Sequence, residues 1–237
     1  MNRMKILLGA VLFFNTFVAQ AGVVLGGTRI VYPADRSEVQ ITLKNIDSDQ
    51  RYLVQSWVSH VDDSKAPFII TPPIYKLAEK SQTLLHIVFT GNKNTLPQDR
   101  ESLYLMNVKS VSAVPAELRE KNMLQFAVKT RIKLFYRPTS LDDRQAKIAG
   151  EKLEFRIKNN LLVVKNPTPF YITLGKLTIG GKSVESANKK ETPSALSMMI
   201  APLSEQSFTI PGGARGQITW STINDYGTET AVQKKTL

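Results

Sequence analysis

The sequence predicts an all-β protein of two antiparallel β-sandwiches in tandem. Nearly every segment after residue 21 is a short β-rich run between turn residues, and these runs recur at spacings of about ten residues. A polar linker at residues 138–143 begins with Pro138, which cannot continue a central strand, and divides the runs into two halves. The chain has no cysteine, so packing alone must stabilise each half.

The first 21 residues have the pattern of a secretory signal peptide. Arg3 and Lys5 precede an apolar run at residues 6–18, and Ala19-Gln20-Ala21 places small residues where signal peptidase reads them. The run is shorter than the roughly 20 residues that span a bilayer, which favours cleavage over a retained anchor. We therefore expect an exported, periplasmic protein that begins near Gly22 and is not inserted in a membrane.

The exported chain is basic. Without Arg3 and Lys5, its 31 basic residues fall to 29 against 20 acidic residues, a net charge of +9. The charges are scattered along the chain, and an exported protein rarely meets nucleic acid. We therefore expect a cationic face for an acidic protein partner and no nucleic-acid partner.

An N-terminal sandwich is predicted at residues 22–140. Its strand-like runs are residues 22–32, 38–45, 51–61, 68–70, 83–89, 103–111 and 122–137. The one helical turn predicted from the sequence is at residues 115–121.

A C-terminal sandwich is predicted at residues 141–237. Its strand-like runs are residues 153–158, 161–165, 170–179, 182–186, 197–200, 207–210 and 217–223. The sequence around Gly180-Gly181 is close to a phosphate-binding loop, but it lies between two strand runs with no helix after it. It is therefore interpreted as a hairpin turn.

Residues 122–137 form the longest alternating run of the chain. Its apolar residues share one parity and its charged residues the other, which is the two-residue period of a strand. The period leaves two interpretations open: a long core strand with a bend, or a strand that offers part of itself to a partner.

Motifs for catalysis, cofactors and metals are absent from the sequence. His60 and His86 lie on different predicted strands without acidic or thiol residues at ligand spacing. The acidic pairs Asp62-Asp63 and Asp142-Asp143 lie in polar loops and are interpreted as solvated turns. We therefore expect neither an enzyme nor a cofactor or metal protein.

Five stretches, in this order, resemble the periplasmic chaperones of the chaperone-usher pilus pathway. They are Thr71-Pro72-Pro73, residues 96–104 (LPQDRESLY), residues 131–138 (RIKLFYRP), residues 166–171 (NPTPFY) and residues 223–227 (INDYG). The resemblance extends over the whole exported chain. The loop at residues 112–121 is short and the cysteine pair of the long-loop members is missing, as in the short-loop (FGS) subgroup.

The resemblance implies two immunoglobulin-like sandwiches set at an angle, with a cleft between them. In this family the chaperone lends a strand to a pilus subunit that lacks its last strand, a mode of β-strand addition. The matching donor residues here are Asn122, Leu124, Phe126 and Val128. Capping of the apolar strand by self-association of the free protein is also consistent with such an exposed edge.

Two further sets of residues match the family. Arg29 and Lys133 match the basic pair that holds the carboxylate at the C-terminus of the subunit. The residues of a structural charge network between the domains are matched by Glu101, Arg137 and Asp225.

Lys133 has the opposite parity to the donor residues. The sequence therefore predicts either a bulge or twist between Val128 and Lys133, or an anchor on the opposite side from the donor groove.

The implied function is a non-enzymatic periplasmic chaperone. It would bind pilus or fimbrial subunits, complete their fold, prevent their aggregation and deliver them to the outer-membrane usher. The alternative is an exported adhesive or carbohydrate-binding sandwich, which should present an exposed aromatic platform. Trp57 and Trp220 instead lie within predicted strands.

Overall fold

The computed structural model describes residues 22–114, 121–188 and 196–236. The predicted signal peptide lies outside these ranges, as does all but the last residue of the helical turn predicted at residues 115–121. No helix among the described residues is long and apolar enough to cross a membrane.

Nine strands of the described residues form the first pair of sheets, which occupy residues 23–137. They are β1 (Val23–Leu25), β2 (Arg29–Pro33), β3 (Val39–Asn45), β4 (Tyr52–Ser59), β5 (Phe68–Thr71), β6 (Ile74–Leu77), β7 (Gln82–Phe89), β8 (Ser102–Ser112) and β9 (Ala127–Arg137). A four-stranded sheet has the order β1-β3-β7-β5, and a five-stranded sheet has the order β2-β9-β8-β4-β6. The predicted fold class is confirmed, with one correction: β2 and β9 are parallel.

The run predicted at residues 22–32 is two strands that belong to different sheets. Gly26 and Gly27 separate them, and the Gly26 amide donates to the Thr42 carbonyl at 2.8 Å. A Cβ atom at Gly26 would lie 3.2 Å from the Thr42 Cβ, so a larger residue would press on β3. The change of sheet is what places β2 beside β9.

Nine more strands of the described residues form the second pair of sheets. They are β10 (Glu154–Lys158), β11 (Leu161–Asn166), β12 (Ile172–Ile179), β13 (Lys182–Ser183), β14 (Glu185–Ser186), β15 (Met199–Ile200), β16 (Ser204–Thr209), β17 (Gln217–Thr222) and β18 (Gln233–Thr236). One sheet has the order β10-β11-β16-β14, and the other has the order β13-β12-β17-β18 with β15 also paired to β12. The predicted domain boundary at residues 140/141 falls between the two pairs of sheets and stays a prediction.

The glycine pair at residues 180 and 181 is a hairpin turn between β12 and β13, as the sequence suggested. Ile179 pairs with Lys182, and both glycines have positive φ, 54° and 77°. The single run predicted at residues 182–186 is instead β13 and β14, which belong to different sheets.

A short helix, α1 (Asp143–Ile148), follows β9 where the sequence was interpreted as a solvated turn. Asp142 is its N-cap, and the carboxylate accepts from the Arg144 amide at 2.8 Å. Gln145 stands three residues after the cap, so the spacing of a capping box was present in the sequence. The helix brings Asp143 to the junction of the two pairs of sheets.

Each pair of sheets has its own apolar core, and a third cluster joins them. In the first core, β9 contributes Ile132, Leu134 and Tyr136. The joining cluster is Phe135 of β9 with Leu196 and Met199. Alternate residues of one strand therefore belong to the first core and to the junction.

Candidate functional site

The N-terminal part of the long alternating segment is not a strand in the free protein. Strand β9 begins at Ala127, whereas residues 122–126 have no strand pairing. The prediction of one continuous strand over residues 122–137 is therefore wrong for its first five residues. Strand β8 ends at Ser112, so the ladder stops at the pair Val111 and Ala127.

The predicted donor side chains lie on this unpaired stretch and, for Val128, at the start of β9, and they face solvent. Leu124 is 78% exposed, Phe126 is 70% exposed and Val128 is 51% exposed. Asn122 and the neighbouring Met123 are exposed as well. Contiguous exposed apolar side chains of this kind are typical of interaction sites.

One backbone edge of β9 is also unpaired over the N-terminal part of the strand. Strand β2 pairs only with the C-terminal part of β9, from Lys133 to Arg137. Among the described residues, no strand pairs with residues 127–132 on that side. The backbone N–H and C=O groups of this edge are available to another strand.

The parity of Lys133 is explained without a bulge. The β8–β9 ladder keeps one register from Ala127 to Tyr136, so the predicted irregularity between Val128 and Lys133 is wrong. The other predicted arrangement fits: Val128 shares the parity of the core-facing Leu134, whereas Lys133 shares that of Phe135 at the junction. Val128 and Lys133 therefore lie on opposite faces of β9.

The structure brings Arg29 and Lys133 together. They are register partners in the parallel strands β2 and β9, so their side chains leave the same face of the sheet. Their polar groups reach the second pair of sheets: Lys133 Nζ donates to Thr173 Oγ1 at 3.1 Å, and Arg29 Nη1 donates to the Ile223 carbonyl at 2.9 Å. Thr173 and Ile223 were not singled out in the sequence, because their role depends on how the two halves pack.

The basic pair has no carboxylate of its own. Neither Arg29 nor Lys133 takes part in an ion pair among the described residues, and the buried Nε of Arg29 has no hydrogen-bond partner there. Burial and the charge of Arg29 lower the pKa of Lys133 to about 8. Burial also lowers the pKa of Arg29, against the opposing charges of Asp225 and Glu101.

The predicted structural charges form a closed network around Arg137, which is 4% exposed. Its Nε donates to Glu101 at 2.9 Å, and Nη1 and Nη2 donate to the two carboxylate oxygens of Asp225 at 2.8 and 3.1 Å. Nη1 also donates to Asp143 at 2.7 Å, a partner that the sequence interpretation missed. The second oxygen of Glu101 accepts from the Tyr171 amide at 2.8 Å.

The pKa shifts in this network have opposing causes. Burial raises the pKa of Glu101, and the charge of Arg137 opposes that shift. Burial lowers the pKa of Arg137, but its hydrogen bonds to Asp225 and the charges of Glu101 and Asp225 outweigh burial and raise it. The contact between Arg137 and Glu101 therefore favours the charged form of each group, against the effect of burial.

A cavity of about 310 Å³ lies at the junction and is lined by residues from both pairs of sheets, Arg29 and Arg137 among them. The described residues contain no group of three or more histidine, aspartate or glutamate side chains placed to hold a metal ion. The distinctive features of this site are an unpaired strand edge, exposed apolar side chains and a basic pair without an ion-pair partner among the described residues.

Two linked sandwiches with these features define a class of protein that binds unfinished β-structure. The chain belongs to the pilus-assembly chaperone family. Residues 22–142 match the family model described as "Pili and flagellar-assembly chaperone, PapD N-terminal domain", and residues 148–234 match "Pili assembly chaperone PapD, C-terminal domain".

Individual relatives agree with this assignment. The chain is 40% identical to the chaperone protein FimC of Escherichia coli strain K12 over 229 residues, which cover 95% of this chain and 90% of FimC. The crystal structure of the E. coli chaperone DraB has a TM-score of 0.75 at 37% identity and covers 91% of this chain and 98% of DraB. The Salmonella enterica SafB chaperone, solved in complex with the SafA pilin, is similar to the same extent, with a TM-score of 0.75 at 32% identity over 91% of this chain and 96% of the matched chain.

Proposed function

We propose that this protein is a periplasmic chaperone that completes the fold of pilus subunits with residues 122–132 and delivers them to an outer-membrane usher. The observation that carries the proposal is the unfinished half of β9, where exposed apolar side chains adjoin an unpaired backbone edge. A SafB relative solved with the SafA pilin supports a subunit as the partner. The short loop between β8 and β9 supports placement in the short-loop subgroup.

Binding is driven by the donor side chains. A subunit that lacks a strand exposes an apolar groove between two sheet edges. Burial of Leu124, Phe126 and Val128 in that groove would contribute roughly 5–9 kcal/mol, at about 1.5–3 kcal/mol for each side chain. The unpaired edge of β9 adds main-chain hydrogen bonds to a neighbouring subunit strand.

The basic pair sets the register of the donated strand. A C-terminal carboxylate placed between Arg29 and Lys133 would accept charge-assisted hydrogen bonds from both side chains. With the end of the subunit strand held there, the donor side chains on the opposite face of β9 meet fixed positions of the groove. A slip of one residue would turn them away from it.

The alternative of a carbohydrate-binding sandwich has less support. Trp220 is 4% exposed and packs on Phe155 in the second core. Trp57 is partly buried, and the Lys129 ammonium lies 5.3 Å from the centre of its ring. Neither residue offers the open face on which a sugar ring stacks.

Co-expression with candidate pilus subunits tests the proposal. We expect wild type to keep subunits soluble and to co-purify with them, and the double variant Arg29→Ala, Lys133→Ala to lose most of the recovered subunit. The matched control is Arg156→Ala, Lys158→Ala, which removes the same two residue types from exposed positions on β10. Recovery at the wild-type level with both double variants would refute the anchor. An equal loss of subunit with both would indicate a general effect of net charge.

A further inference from the structure

The basic pair, Arg29 and Lys133, places two like charges side by side. Lys133 and Arg29 occupy register positions on neighbouring parallel strands, about 4.8 Å apart at the backbone, and both are partly buried. Glu101 and Asp225 act on the charge of Arg29, but both bind Arg137, and neither forms an ion pair with Arg29 or Lys133. Among the described residues, the two adjacent cations therefore lack an ion-pair partner.

The remaining neighbours of Lys133 offer little to stabilise its charge. On β12, the Thr173 hydroxyl is its hydrogen-bond acceptor and is neutral. On β8, the residue opposite is Leu105, and the next residues on the same face of β9 are Arg131 and Phe135. Among the described residues, Arg29 is the charged group that acts on the Lys133 ammonium, and it acts against it.

We propose that binding of a subunit carboxylate is coupled to proton uptake at Lys133 Nζ, so that capture weakens as the solution becomes alkaline. This inference rests on the proposed anchor function and adds that Lys133 must be protonated for the carboxylate to bind. In the free protein above neutral pH, a growing fraction of Lys133 is the neutral amine. Binding takes a proton from solvent, and the resulting ammonium pairs with the carboxylate.

The sign of the effect follows from the two states of Lys133. Its pKa is about 8 in the free protein. A bound carboxylate favours the charged form and raises that pKa. The affinity is therefore nearly constant below pH 7 and falls, by up to about tenfold for each pH unit, between the free-state pKa and the raised pKa of the complex. A base with an ordinary lysine pKa would give a flat profile over the same range.

Two probes separate this inference from the anchor function. The first is a fluorescent peptide of alternating valine and threonine with a free C-terminal carboxylate, and the second is the same peptide as a C-terminal amide. We expect the acid to bind at least tenfold more tightly than the amide at pH 7. Equal binding would refute the anchor function itself, whatever the pH dependence.

The pH profile of acid-peptide binding tests the coupling. We expect the affinity of wild type to fall about tenfold between pH 7 and pH 9. Lys133→Arg keeps the charge but does not titrate, so its profile should be flat. Lys158→Arg, at an exposed position on β10 of the second pair of sheets, should behave as wild type.

Direct titration of Lys133 by ¹³Cε NMR completes the test, with its signal assigned from its loss in Lys133→Arg. We expect a midpoint near pH 8 in the free protein and a midpoint raised by at least one pH unit with the acid peptide bound. An ordinary lysine midpoint in the free protein, with acid and amide still discriminated, would overturn the proton coupling and leave the anchor intact.

Discussion

The two halves of residues 122–137 have the same alternating pattern and opposite surroundings. In the C-terminal half, Leu134 and Tyr136 are fully buried, β9 is paired on both sides, and Arg137 is neutralised by carboxylates. In the N-terminal half, large apolar side chains are exposed and the backbone has an open edge. Between them, Lys133 is partly buried, as the C-terminal half is, but no carboxylate of the described residues forms an ion pair with it.

Under the proposed function, this difference separates residues that stabilise the free protein from residues that bind a subunit. A buried charge with a complete set of partners orients the domains and needs nothing further. We propose that the partly buried basic pair, which has no ion-pair partner among the described residues, receives its carboxylate from a subunit. The predictions below test this division, from the largest expected effect to the smallest.

The largest effect is expected for Arg137→Ala. The substitution leaves Glu101, which is 3% exposed, as a buried charge without its cation. We expect the free energy of unfolding to fall by about 3–5 kcal/mol, measured by urea denaturation. Arg144→Ala removes an exposed arginine near the same junction and should change stability by less than about 0.5 kcal/mol. Equal effects of the two substitutions would show that the network does not stabilise the junction.

The second prediction compares two leucines of equal parity. Leu134→Ala opens a cavity in the first core and should cost about 2–5 kcal/mol of unfolding free energy. Leu124→Ala removes a side chain that is 78% exposed and should change it by less than about 0.5 kcal/mol. Subunit recovery in co-expression should nevertheless fall for Leu124→Ala. A large loss of stability in this variant would mean that Leu124 packs within the free protein.

The smallest effect is a gain in stability. Lys133→Met removes one of two adjacent cations and should stabilise the free protein by about 1 kcal/mol near pH 7, while impairing subunit capture. The folded-state pKa of Lys133 is depressed, so between about pH 8 and its ordinary value of 10.5 the unfolded chain binds more protons than the folded one. Wild-type stability should therefore rise through this window relative to Lys133→Met. A constant difference across the window would contradict the depressed pKa.

Most of the fold was predictable from the sequence. Alternation and turn residues located most strands and the hairpin at Gly180-Gly181, because both signals are local. The charge network was predicted through the family resemblance, and the structure does bring Glu101, Arg137 and Asp225 together. The helix at residues 143–148 was missed although its N-cap and capping-box spacing were present.

The features that were missed depend on partners distant in sequence. Periodicity showed that residues 122–126 could form a strand, but strand formation needs a neighbour, and β8 ends before it reaches them. The parity of Lys133 left both a bulge and an anchor on the opposite side open, because one strand was considered alone. In the structure, β9 is regular, and its Lys133 face lies beside Arg29 of β2 and Thr173 of β12. The other face of β9 packs in the first core.

The central claim is that residues 122–126 become a strand, and the open edge of β9 at residues 127–132 gains a partner, only when a subunit binds. Amide hydrogen exchange of the free protein and of a co-purified subunit complex measures this directly. We expect fast exchange at residues 122–126 in the free protein, strong protection there in the complex, and unchanged protection from Leu134 to Arg137. Protection of residues 122–126 without the subunit, or none with it, would contradict the account.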